Sequence, residues 1–149
     1  MNMKYRNLAF AAIVAIAGWF SASAVMAQPS VAVVVNKDVP VEKVDPSQAT
    51  QLFLRQVTTW PDGVRVQPID LPQSNPLRAE FYSRITGRSP GQLRAYWARQ
   101  AFTGMGVPLR EVATVEDVNR FIRSTPGAIG YVERRNTEAG LKIVLEPAP

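Results

Sequence analysis

Apolar residues are grouped along this chain in patterns typical of alternating strands and helices. The run Val31 to Asn36 is β-branched and almost continuously apolar. It predicts a strand buried on both faces, as in a parallel sheet. Val64, Val66 and Ile69 predict a second strand ending at Asp70, and 128–132 and 141–145 predict the last two. Apolar residues recur at helical spacing in four further segments, and each of these segments predicts a helix. The apolar faces consist of Ala49, Leu52 and Phe53 in the first helix, Leu77, Phe81 and Ile85 in the second, Leu93, Trp97 and Ala101 in the third, and Val118, Phe121 and Ile122 in the fourth.

Capping residues mark where these helices begin. The segments 45–48 (Asp-Pro-Ser-Gln) and 89–92 (Ser-Pro-Gly-Gln) each place an N-cap residue before Pro and a Gln three positions after the cap. Asn75-Pro76 starts the second helix, and Gly87 is suited to end it. The resulting order, β-α-β-α-α-α-β-β, indicates a single α/β domain with helices packed on a mixed sheet.

The first 27 residues have the pattern of a secretory signal peptide. Lys4 and Arg6 precede an uncharged apolar stretch from Leu8 to Phe20, and Val25-Met26-Ala27 fits a cleavage site. The alternative is a membrane anchor, but the apolar stretch is short for a span of about 20 residues. We therefore predict cleavage after Ala27, a periplasmic domain over 28–149 and no membrane anchor after cleavage. The chain has no cysteine, so a lipid-modified N-terminus is not expected.

Composition argues against most kinds of catalysis. The chain has no histidine and no cysteine, which excludes His-based triads, thiol nucleophiles and the usual zinc sites. Asp38, Asp45 and Asp62 occupy loop or cap positions where Asp is common. The formal net charge of +5 is too small and too scattered to indicate nucleic-acid binding. We expect no enzyme activity, no cofactor and no metal.

The best candidate for a ligand site is the loop 70–78, between the second strand and the second helix. α/β sheets place ligands beyond the carboxyl ends of strands, and unpaired N–H groups at a helix N-terminus attract anions. Ser74 offers a hydroxyl, Asn75 an amide, and Arg78 a charge-assisted contact to an oxyanion. In the alternative interpretation, Ser74 or Asn75 only caps the helix and Arg78 points to solvent.

Two motifs carry a resemblance to a known family. The valine strand is followed by a capped helix and by Thr-Thr-Trp-Pro-Asp-Gly at 58–63, and Pro-Gly-Ala-Ile-Gly-Tyr-Val lies at 126–132. In this order and spacing they resemble the later half of phosphate-type (PstS-like) periplasmic substrate-binding proteins of ABC transporters. The resemblance implies a single lobe of a type 2 periplasmic-binding-protein-like fold, a transport role, phosphate as ligand and an ABC transporter as partner.

The sequence departs from that family at the ligand loop. The family's loop has roughly the sequence Arg-Ser-Asp-Gly-Ser-Gly-Thr, and of these residues only Ser74 is matched. Asp70 stands where the family has Arg, and Pro76 removes a backbone donor. The lobe that supplies about half of the family's ligand contacts is also not recognised here.

Two roles therefore remain open. The first is a periplasmic solute-binding protein that binds a small oxyanion at Asp70, Ser74, Asn75 and Arg78 without catalysis. The second is a single-lobe remnant that binds no solute and acts as a protein-interaction or sensor-accessory module. A buried Asp70 that fills the anion site from within would favour the second role, whereas an open pocket with Asp70 turned away would favour the first.

Overall fold

The computed structural model describes residues 31–147, and the predicted signal peptide lies outside the described residues. Across 31–147, none of the helices has the length and apolar character needed to cross a membrane. The described residues form five strands and four helices. The strands are β1 (Val31–Asn36), β2 (Gln67–Asp70), β3 (Arg110–Glu111), β4 (Ala128–Glu133) and β5 (Leu141–Leu145), and the helices are α1 (Pro46–Phe53), α2 (Pro76–Thr86), α3 (Pro90–Phe102) and α4 (Val115–Ser124).

The strands form one mixed sheet in the order β3-β2-β4-β1-β5. β2 pairs in parallel with both β3 and β4, whereas β1 pairs antiparallel with both β4 and β5. The predicted α/β class with helices on a mixed sheet is confirmed. The expectation that β1 pairs with parallel neighbours is wrong. All six residues of β1 are buried because helices cover both faces of the sheet, and this burial does not depend on the direction of the neighbouring strands.

The two faces of the sheet are covered by different helices. Gly130 in β4 faces α4, because a Cβ there would lie 2.9 Å from Ile122 Cδ1 and 3.0 Å from Val118 Cγ1. The next residue, Tyr131, points to the opposite face and stacks on Phe81 of α2 with ring centroids 3.9 Å apart. Phe53 of α1 joins this aromatic cluster, with its centroid 4.6 Å from that of Phe81. Helices α1 and α2 therefore bring aromatic side chains to the carboxyl end of β2.

The predicted helix starts are confirmed. Asp45 with Gln48, and Ser89 with Gln92, form complete capping boxes. Asn75 caps α2, and Gly87 ends it in the left-handed conformation. β2 begins later than predicted, because Val64 is exposed beside an isolated bridge between Thr59 and Arg65. The two-residue strand β3 was not predicted, since both of its residues are exposed and give no apolar signal.

The two sequence motifs meet in space, although 67 positions separate the bonded residues. The indole Nε1 of buried Trp60 donates a 2.9 Å hydrogen bond to the carbonyl oxygen of Gly127. Gly127 adopts a φ of 74°, and a Cβ at this position would lie 2.3 Å from the carbonyl oxygen of Arg65. Trp60 is thus a packing residue, and Gly127 is required by both its backbone conformation and its close neighbour.

The outer edge of β5 is covered by the segment that follows β1. The Val44 N–H donates a 3.0 Å hydrogen bond to the carbonyl oxygen of Val144. Lys142 Nζ donates to the carbonyl oxygen of Val39 at 2.8 Å. The loop 37–44 is therefore fastened along the sheet edge.

Candidate functional site

The carboxyl end of β2 leads directly into the loop that precedes α2. Asp70 is the last residue of β2, and α2 begins at Pro76. Pro at the first helical position is compatible with the helix because its missing N–H would have no intrahelical partner there. The short loop places the first turn of α2 above the end of the strand, so that Asp70 and Arg78 come together as an ion pair.

Asp70 is enclosed by hydrogen-bond donors. Its side chain is 1% exposed. Oδ1 accepts from the Leu71 N–H at 2.9 Å and from the Tyr131 hydroxyl, and Oδ2 accepts from the Tyr82 hydroxyl at 2.9 Å. Arg78 Nη2 lies 3.2 Å from Oδ2. Each carboxylate oxygen of Asp70 is therefore in contact with two donor groups, which is the arrangement expected around an ionised carboxylate.

Arg78 is held in place by three acceptors. Besides its pairing with Asp70, Nη1 donates to the Leu71 carbonyl at 3.0 Å and to Glu111 Oε1 at 2.6 Å. The residue is 7% exposed, so the alternative interpretation, in which Arg78 points to solvent, is wrong. Arg78 therefore bridges one buried carboxylate and one at the surface of β3, and these three side chains together carry a net charge of −1.

The N-terminus of α2 has few donors left for an anion. Asn75 Oδ1 accepts from the Leu77 N–H at 3.0 Å, and the Arg78 N–H donates to the Asn75 carbonyl at 3.1 Å. Pro76 has no N–H to offer. Ser74 is exposed and Asn75 serves as the helix cap. Of the four predicted site residues, the structure brings Asp70 and Arg78 into contact with each other, whereas Ser74 and Asn75 are not bonded to either side chain.

Burial governs the protonation of this cluster. Burial raises the pKa of the Asp70 carboxyl above its ordinary value, although the charge of Arg78 and the hydroxyls of Tyr131 and Tyr82 partly oppose the shift. Burial, followed by the negative charge of Asp70, raises the pKa of the Tyr82 and Tyr131 hydroxyls far above neutrality. Both tyrosines therefore remain protonated and act as permanent donors to Asp70.

The pKa shift of Asp70 predicts how stability depends on pH. Because the folded pKa is raised above 3.8, the folded state binds this proton more tightly than the unfolded chain does. The contribution of Asp70 to stability is therefore present near pH 3.8 and is lost as pH rises through the raised pKa. We expect the free energy of unfolding of the native protein, relative to that of Asp70→Asn, to increase as pH falls within this window. Urea titrations of both proteins at several pH values measure this difference, and a difference that grows with rising pH would contradict the prediction.

The sequence did not reveal three partners of this cluster. Tyr131 was noted only as part of the motif at 126–132, and neither Tyr82 nor Glu111 was considered. A local signal existed for Tyr82, which lies four residues after Arg78 and hence on the same side of α2. Tyr131 and Glu111 lie 61 and 33 positions from the residues they bond, so only the tertiary structure brings them to the site.

A groove opens beside this cluster, between α2 and α3. This α2–α3 groove has a volume of about 380 Å³. Its walls are largely apolar and include the side chains of Tyr82, Leu93, Trp97, Ala98, Ala101 and Pro108. Arg78, Arg94 and Glu111 are the charged residues that line it. Volume and lining both fall in the range of small-molecule sites in proteins.

Solved structures with a similar fold include proteins named for phosphate transport. One is a Clostridium perfringens protein crystallised with bound phosphate, for which the TM-score is 0.63 and the identity 14% over 77% of this chain. The fold is that of one lobe of a phosphate-type binding protein. An ABC-type phosphate transport receptor from Vibrio cholerae gives a TM-score of 0.61 at 15% identity over 80% of the chain, and PstS from Borrelia burgdorferi gives 0.59 at 12% over 77%. The predicted resemblance and lobe architecture are thus confirmed at the level of fold.

These likenesses cover only part of the solved proteins. The chain spans 44%, 48% and 46% of the three structures, respectively. No protein-family model and no curated protein sequence matches this chain. The likeness therefore describes the fold, and the function has to be argued from the site itself.

Proposed function

We propose that this protein is a non-catalytic periplasmic binding module in which the Asp70 carboxylate fills the anion position of a phosphate-type lobe. The observation that carries the proposal is the set of four donors around Asp70, from Leu71, Tyr82, Tyr131 and Arg78. Donors arranged in this way stabilise one negative charge, and the chain supplies that charge itself. An anion from solution would have to displace a covalently attached competitor.

Electrostatics favours this proposal over the binding of a free oxyanion. An oxyanion at Arg78 would lie close to Asp70 and Glu111, both of which already contact the guanidinium. Two like charges about 4 Å apart repel by about 4 kcal/mol at an effective dielectric constant of 20. The N–H groups of Leu77 and Arg78 are also occupied by Asn75. These features favour an interaction or sensor-accessory role, with an ABC transporter or another periplasmic protein as partner.

Binding of a small oxyanion at Asp70, Ser74, Asn75 and Arg78 is the second candidate function. It is supported by the likeness of fold to a protein crystallised with phosphate. Ser74 is also exposed at the start of the helix and free to contact a ligand. In this alternative, Asp70 would be protonated or would turn away when the ligand arrives.

The absence of catalysis is part of the proposal and has chemical support. The sequence contains no histidine or cysteine, and Tyr82 and Tyr131 stay protonated far above neutral pH. Neither tyrosine is therefore suited to accept and release a proton near pH 7. Export is supported by the signal-peptide pattern of the first 27 residues.

A thermal melt with phosphate separates the two candidates. We expect no rise in the melting temperature with millimolar phosphate or sulfate, relative to chloride at the same ionic strength. A ligand present at 100 times its Kd would add about 2.7 kcal/mol of stability, which such a melt detects easily. A rise produced by phosphate but not by chloride would overturn the proposal and establish the oxyanion role.

Rescue by formate tests whether Asp70 is the internal anion. Asp70→Ala removes the carboxylate and leaves its donors around a space of the same shape. We expect sodium formate to raise the melting temperature of Asp70→Ala, with a smaller effect on the native protein and none from sodium chloride. Formamide, which is neutral and of nearly equal size, serves as the control. Equal responses to formate and formamide would show that the donors do not select a negative charge.

A further inference from the structure

The α2–α3 groove has the features of a small-molecule site, and it lies beside the Asp70 cluster, with which it shares Arg78, Tyr82 and Glu111. Asp70 does not line it, and the groove-lining wall of α3 runs from Pro90 to Ala101. The apolar walls exclude a strongly hydrated ligand, since burying a polar group without a partner costs free energy. The body of a ligand that fits here is therefore apolar.

The charges along the groove indicate what polar group such a ligand carries. Arg78 is already paired with Glu111 at 2.6 Å and with the buried Asp70 at 3.2 Å, so its charge is compensated without a ligand. Arg94 also lines the groove, and within 31–147 its guanidinium has no ion-pair or hydrogen-bond partner. Among the described residues, Arg94 is therefore the cation of the groove lining that no carboxylate already compensates. A single negative group on the ligand would complement Arg94.

The size of the groove suits a small ligand. The groove holds about 380 Å³, which is within the range of small-molecule sites. Ala79, Ala98 and Ala101 keep its walls open, because a larger side chain at these positions would project into it.

We propose that the α2–α3 groove binds a medium-chain carboxylic acid, with the alkyl chain against Leu93 and Trp97 and the carboxylate at Arg94. The proposal rests on the non-catalytic binding role proposed above and names a ligand class for it. It places the ligand on α3, so it does not require any free donor at Asp70 or at the N-terminus of α2.

Isothermal titration calorimetry with decanoate, below its micelle concentration, tests this site on protein expressed from the full sequence. We expect saturable binding of one decanoate per chain with a Kd of the order of 0.1 mM, given its small number of heavy atoms. Decyltrimethylammonium has the same chain length and the opposite charge, and we expect it to bind at least about tenfold more weakly. No saturable decanoate binding, or equal binding of the two amphiphiles, would overturn the proposal.

Two pairs of variants locate the site. Ala98→Leu should fill the groove and weaken decanoate binding by about tenfold or more, whereas Ala95→Leu, also exposed on α3 but outside the groove, should not change it. Arg94→Gln should reduce the preference for decanoate over decyltrimethylammonium, whereas Arg99→Gln should leave it unaltered. Equal effects within either pair would show that binding occurs elsewhere, or through net charge alone.

The decanoate experiment can fail without any change in the outcome of the phosphate and formate tests. Those tests report on Asp70, which does not line the groove. Absence of decanoate binding, together with no phosphate shift and with formate rescue, would remove the ligand class and leave the proposed function intact. A phosphate-specific shift would overturn the proposed function whatever the result with decanoate.

Discussion

Replacing Arg78 with alanine is expected to destabilise the folded protein by about 3–5 kcal/mol. The substitution leaves the Asp70 carboxylate, which is 1% exposed, without its cationic partner. Removing one member of a buried ion pair typically costs this much, because the remaining charge stays desolvated and uncompensated. The Leu71 carbonyl and Glu111 also lose their donor. Urea unfolding monitored by circular dichroism measures the loss.

Two further variants establish that the loss arises from the buried charge. Arg99→Ala changes an exposed arginine on α3 and should alter the free energy of unfolding by no more than about 0.5 kcal/mol. In the double variant Asp70→Asn/Arg78→Ala, the free energy of unfolding should fall by less than the sum of the decreases in the two single variants, because no ionised carboxylate remains buried. Strict additivity, or a loss below about 1 kcal/mol for Arg78→Ala alone, would show that Asp70 does not depend on this partner.

The substitution Gly127→Ala is expected to lower the free energy of unfolding by about 3 kcal/mol. The residue has a φ of 74°, and an alanine Cβ would lie 2.3 Å from the carbonyl oxygen of Arg65. Backbone atoms give way less readily than side chains, so the chain before β2 or the start of β4 must shift. A shift there also disturbs the hydrogen bond from Trp60 to the carbonyl oxygen of Gly127. Equilibrium unfolding in urea gives the magnitude.

Gly140→Ala separates the cost of the backbone conformation from the cost of the collision. Gly140 also has a positive φ, of 87°, but a Cβ there would meet no atom within 4 Å. We expect the free energy of unfolding to fall by about 1 kcal/mol, which is the usual penalty for an L-residue in the left-handed region. Similar losses for the two variants would mean that the approach of Gly127 to Arg65 relaxes without cost.

Local sequence signals predicted much of this fold. Helix starts depend on a few neighbouring residues, and the boxes at Asp45 and Ser89 form as their sequences indicate. The boundaries of β1 follow from an uninterrupted apolar run. The directions of its neighbours could not be predicted in this way, because burial reports how many layers cover a strand and carries no information on pairing. β3 has two exposed residues and no pattern to detect.

Sequence reasoning selected Asp70 and Arg78 as candidate site residues but did not predict their contacts. Asp70 was recognised as an acid where the family that the chain resembles has Arg, and Arg78 as a cation able to contact an oxyanion. Their pairing, however, depends on donors from Tyr131 in β4 and on a second carboxylate from Glu111 in β3. Such contacts arise from the order of strands in the sheet, which local sequence does not specify. Oxyanion binding at Asp70, Ser74, Asn75 and Arg78 stays a prediction, and the occupied N–H groups of α2 weigh against it.

The two edges of the sheet affect how readily copies of this chain associate with one another. β3 offers only two residues, and the loop 37–44 occupies part of the outer side of β5 through Val44 and Lys142. A long unprotected edge is a template on which further chains add strands and begin to aggregate. Here neither edge provides a long free row of backbone groups among the described residues. The folded chain is thereby guarded against strand exchange and fibre formation.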